Sequence, residues 1–165
     1  MNSEIPILPD PSDSRLTRKL TGLDQDGISQ TLSVIEERPL TIFLNKQEII
    51  TSMTIGDYPE YLAIGFLLNQ QMLLIDDKIL QIDYDKELTT IVIRTERTTN
   101  YEEKIQKKVR TSGCAVGTSF GDLMDGLDEI KLSKNEVKTS WLYSLAKKIN
   151  TTPSLYLTAG AIHGT

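Results

Sequence analysis

Side chains alternate sides along an extended chain, and one stretch here follows that alternation closely enough to constrain the rest. In "PLTIFLN", residues 39–45, Leu40, Ile42 and Leu44 fall on one face while Thr41 and Phe43 fall on the other. A period of two marks a β-strand with one buried face. The chain then needs a corner, and Asn45-Lys46 provides it, because Asn tolerates positive φ better than most residues. It returns through Ile49 and Ile50, and residues 28–53 as a whole read as β-structure.

A helix follows in "GDYPEYLAIGFLLNQ". Asp57 and Glu60 have the spacing of a capping box, with Asp57 as the N-cap acceptor. Pro59 falls in the first turn, where a missing N–H does no harm. From Tyr58 to about Asn69 the residues Leu62, Ala63, Ile64, Phe66, Leu67 and Leu68 are apolar on nearly every side, so the helix is expected to be buried and Leu62 reads as a core position. Alternation resumes over 79–95. Leu80, Ile82 and Tyr84 share a face against Gln81 and Asp83, and Ile91 and Ile93 share one in the next strand. Asp85-Lys86 between the two suggests a hairpin.

The segment from Arg94 to Arg110 is polar and charged and marks a boundary between subdomains. Beyond it, Ser133 and Glu136 form a second capping-box pattern, predicting a helix to about Ile149. Val137, Trp141, Leu145 and Ile149 recur every four residues and would form its buried stripe, with Lys147 and Lys148 suiting the C-terminal end of the dipole. Three organisational pieces result. Residues 1–15 hold three of the six prolines and read as a disordered leader; 16–108 form a β-rich subdomain with one buried helix; 109–165 form a second, mixed subdomain.

Composition narrows the function classes. Hydrophobic residues at 39% and charged residues at 25% suit a globular chain with a core. A net charge of −5 gives no electrostatic footprint for nucleic acid. No apolar run approaches the ~20 residues of a membrane span, and the N-terminus lacks the basic start and apolar core of a signal peptide. The expected setting is cytoplasmic, with neither membrane nor nucleic acid as partner.

Chemistry concentrates in "TSGCAVGTSFGD", residues 111–122, which contains the only cysteine, Cys114. One cysteine excludes an intramolecular disulfide. Its neighbours Gly113, Ala115, Gly117 and Thr118 have little apolar mass, so the stretch reads as a mobile loop presenting a thiol. A thiol is a nucleophile only as thiolate. Lys104, Lys107, Lys108 and Arg110 lie just upstream, where they form a solvated face or polarise that thiol. His163, the single histidine, is a candidate acid, base or ligand. No metal site is expected, since one Cys and one His fall short of the three protein ligands of a catalytic zinc. The glycines match neither a P-loop nor a dinucleotide fingerprint.

Four motifs in order resemble the FdhD/NarQ family: "ERPLTIFLN" at 37–45, "MTIGDYPEYLAIGFLLNQ" at 53–70, "TSGCAVGTSFGDLM" at 111–124 and "AGAIHG" at 159–164. Many family members carry Cys-x-x-Cys in the third; here Gly117 stands in the second position, so Cys114 would act alone. The resemblance implies an α/β (α+β) fold: a β-rich N-terminal subdomain, then the start of a cytidine-deaminase-like subdomain, with the family architecture continuing beyond His163. It implies a sulfurtransferase in which Cys114 takes persulfide sulfur from a cysteine desulfurase. The sulfur passes to the molybdenum bis-pterin guanine dinucleotide cofactor, as cargo, for formate dehydrogenase. Gly113, Gly117 and Arg110 would support the loop, and His163 is a candidate cofactor contact. A non-catalytic chaperone of the molybdenum cofactor and an inactive truncated paralogue are the alternatives, and a homodimer stays open. The resemblance also places the surface opposing the stripe Val137, Trp141, Leu145 and Ile149 outside these 165 residues.

Overall fold

The computed structural model describes residues 10, 12–98, 108–110, 118–120 and 136–160. The mixed α+β architecture expected from the sequence is present: eight strands in three sheets and three helices among the described residues. The chain divides into two compact units, Glu37–Leu132 and Met1–Glu36 with Ser133–Thr165.

The first of these units contains β3 (Arg38–Leu44), β4 (Gln47–Thr54), α1 (Pro59–Asn69), β5 (Ile79–Asp85) and β6 (Thr90–Thr95). The strands form one sheet in the order β4-β3-β6-β5. Antiparallel hairpins make the two flanks, β3 with β4 and β5 with β6, and the central pair β3–β6 is parallel. Parallel neighbours need a crossover long enough to return the chain to the same end. The crossover here is β4, α1 and β5. The core is Leu40, Ile42, Leu44, Ile49, Ile50, Ala63, Leu67, Met72, Leu73, Ile91 and Ile93. Ile49 and Ile50 are adjacent, yet both are buried. Pairing jumps from Ile42↔Ile50 to Phe43↔Glu48, which leaves Ile49 as the extra residue of a β-bulge and turns it inward with its neighbour.

The turn expected at Asn45 is confirmed, with φ at 56°. Its carboxamide does more than tolerate that angle. Asn45 Nδ2 donates to Thr95 Oγ1 at 3.1 Å, and the Thr95 amide donates to Asn45 Oδ1 at 2.9 Å. Thr95 Oγ1 donates in turn to the Arg97 carbonyl at 2.8 Å, which satisfies a side chain that is 7% exposed. Asn45→Ala therefore loses two hydrogen bonds and takes on left-handed strain, together about 2–3 kcal/mol. Asn45→Gly should recover only the strain part, and urea melts of the two variants check the difference.

Two expectations about α1 are corrected. Asp57 is not its N-cap: Tyr58 occupies that position in the left-handed region, φ 46°, with no side-chain capping bond. The turn through Gly56 (φ 79°) and the left-handed Tyr58 set the entry instead. Nor is the helix buried throughout. Pro59, Ala63 and Leu67 are buried, whereas Leu62 is 37% exposed. A single sheet covers one side of a helix, so apolar residues on the other side have nothing to pack on. At the C-terminal end Gln71 turns left-handed (φ 53°), and the amides of Met72 and Leu73 both return to the Leu67 carbonyl, which folds these two side chains into the core. Leu80 and Ile82 are likewise exposed rather than facing the core with Tyr84: β5 is an edge strand of the sheet, and a register shift between Ile79 and Gln81 breaks the alternation.

The second unit contains β1 (Thr17–Leu23), β2 (Ser29–Ile35), α2 (Thr139–Thr151) and α3 (Leu155–Ala159). β1 and β2 pair from Thr17↔Ile35 to Leu23↔Ser29. Their turn is organised by Asp24, whose carboxylate accepts from the amides of Asp26 and Ile28 and from Gln30 Nε2, with Gly27 at φ 76°. These bonds, the one from Gln30 first, hold the Asp24 carboxyl below its ordinary range. α3 lies against β2 and buries Leu155.

α2 departs from expectation at its start and on its face. Residues 136–138 are not helical and Lys138 is the N-cap without a side-chain bond, so Glu136 does not complete a capping box; Ser133 lies outside the described residues. Its end is satisfied by Thr151 and Thr152, whose hydroxyls donate to the carbonyls of Lys147 and Lys148. None of its residues is buried, and Trp141, Leu145 and Ile149 of the expected stripe are exposed, as is Val137 before the helix.

Candidate functional site

Two short strands bracket the candidate nucleophile. β7 (Lys108–Arg110) pairs antiparallel with β8 (Thr118–Phe120), in the register Lys108↔Phe120, Val109↔Ser119 and Arg110↔Thr118. Residues 111–117 connect the strands, and Cys114 is the middle residue of that connection. Hydrogen-bonded strands fix the separation of their ends to about 5 Å. The sheet thus anchors both ends of the cysteine segment at Arg110 and Thr118. Of the residues singled out from the sequence, Arg110 is placed at the end of β7 next to the segment. Cys114, Gly113, Gly117 and His163 lie outside the described residues.

A second side-chain link holds the chain where β6 ends. The Arg97 guanidinium grips Asp77 with two parallel bonds, Nε to Oδ1 and Nη2 to Oδ2, and Asp77 Oδ2 also accepts from the Leu74 amide at 2.7 Å. This fork joins the chain leaving β6 to the turn after α1. Bidentate arginine–carboxylate pairs combine charge with planar geometry, and the Arg97 guanidinium first, the Leu74 amide second, draws the Asp77 carboxyl down to about 2. With the Asn45–Thr95 pair it clamps Thr95 and Arg97 from two sides. Sequence reading missed this clamp, since Asp77 and Arg97 are twenty positions apart and neither sits in a local motif.

The clamp has a definite pH dependence. A carboxyl whose folded pKa is depressed contributes stability above its unfolded value, about 3.9, and loses it as pH falls through the folded value. Asp77→Asn should therefore melt below the parent at neutral pH, and the gap should close between about pH 4 and pH 2. Melting curves of the two proteins across that range check it.

Among the described residues no group of three His, Cys, Asp or Glu side chains is placed to hold a metal, and no helix is long and apolar enough to cross a membrane. The arrangement offers a chain bearing one cysteine, anchored at both ends by a strand pair.

Comparison with known proteins assigns a family to this arrangement. The FdhD/NarQ family model matches residues 35–165. The chain is 24% identical over 141 residues to the sulfur carrier protein FdhD of Bacillus pumilus (strain SAFR-032), covering 81% of this chain and 52% of that protein. Its fold is similar, at a TM-score of 0.54 and 16% identity, to a chain from Desulfotalea psychrophila described as a formate dehydrogenase accessory protein, covering 87% of this chain and 52% of that one. The chain spans about half the length of each of these relatives. The four motifs, the α+β fold and a match over most of the residues agree, and the chain belongs to the FdhD/NarQ family.

Proposed function

We propose that this chain is a sulfur carrier serving formate dehydrogenase, with Cys114 as the residue that bears the sulfur. One observation carries the reading: the only cysteine of the chain stands at the centre of the β7–β8 connection, inside the span matched by the family. The name of the Bacillus pumilus relative supports the sulfur chemistry, and the description of the Desulfotalea psychrophila relative supports the link to formate dehydrogenase.

The acceptance step needs little machinery. The Cys114 thiolate attacks the terminal sulfur of a cysteine desulfurase persulfide; a new S–S bond forms, the donor's S–S bond breaks, and the desulfurase cysteine leaves as thiolate. Sulfur keeps its oxidation state and Cys114 becomes a persulfide. Thiolate character governs the rate, and Arg110 with the neighbouring lysines favours the anion. Gly113 and Gly117 give the backbone freedom to present the sulfur first to donor and then to acceptor. The acceptor in this reading is the molybdenum bis-pterin guanine dinucleotide cofactor, a cargo rather than a resident group, with His163 as a contact for it. Release as sulfide takes two electrons from a thiol reductant outside the chain, since no second cysteine is present to resolve the persulfide.

Incubation with a cysteine desulfurase and cysteine, followed by intact mass, tests the reading. A reducible gain of one sulfur atom located by peptide mapping at Cys114 supports it. A chain that gains none, yet still raises formate dehydrogenase activity in cells lacking their own carrier, would be a cofactor chaperone.

A further inference from the structure

We draw no further inference here: the strongest candidate, the outward face of α1 where Tyr61 and Leu62 stand exposed beside Gly65, carries nothing, because nothing in the structure shows what covers it.

Discussion

Cys114→Ser takes up no sulfur from a charged cysteine desulfurase, while the parent chain gains one reducible sulfur atom. The loss should be complete, because the chain has no other thiol to accept the sulfur in its place. Serine keeps the size of the side chain but loses the nucleophile, its hydroxyl staying protonated where a thiol ionises. Stability should change by no more than about 0.5 kcal/mol, because the sequence around the cysteine, Gly113, Ala115 and Gly117, has little apolar mass to pack on it. Intact mass after incubation reads the first quantity and a thermal melt reads the second. Sulfur uptake by the serine protein would remove Cys114 from the mechanism. An equal loss of uptake and of folding would instead make the cysteine structural.

Leu67→Ala is expected to cost about 2–5 kcal/mol, the range for emptying a leucine site in a packed core. Leu67 is fully buried on the sheet-facing side of α1, among Ala63, Ile91 and Ile93 in one cluster. Its carbonyl also closes the end of α1 by accepting from Met72 and Leu73. Leu62→Ala, five residues earlier on the same helix, should cost well under half as much, since that side chain already meets solvent in the native state. Urea unfolding of the pair checks both numbers together. Equal losses would mean that α1 is covered on both sides.

Much of the sheet was legible because its signals are local. The alternation around Leu40, Ile42 and Leu44 and the positive φ of Asn45 depend on neighbours in sequence, and both are present as read. The hairpin of β1 and β2 was legible too but went unread before Ile28; the Asp26-Gly27 pair carries its turn signal. What failed did so where a competing local conformation won. Asp57 and Glu60 have capping-box spacing, but the helix entry is set by a left-handed Tyr58 ahead of Pro59. Ser133 and Glu136 have the same spacing, yet the helix waits until Thr139. For the site, the sequence singled out the one cysteine; the placement of Arg110 opposite Thr118, which anchors its segment, required strand pairing to be seen.

The sequence by itself determined that this is a mixed α+β chain of the FdhD/NarQ family with one thiol, because motif order, period and residue counts are properties of the string. Only the tertiary structure decided which apolar residues are core. Leu62 and Leu67 look alike in sequence and sit on the same helix, but one sheet can cover only one side of it. The parallel pairing of β3 with β6 and the Asp77–Arg97 clamp also belong to the structure. Each joins residues distant along the chain, and no local preference encodes a contact whose partner is chosen by the packing of everything between.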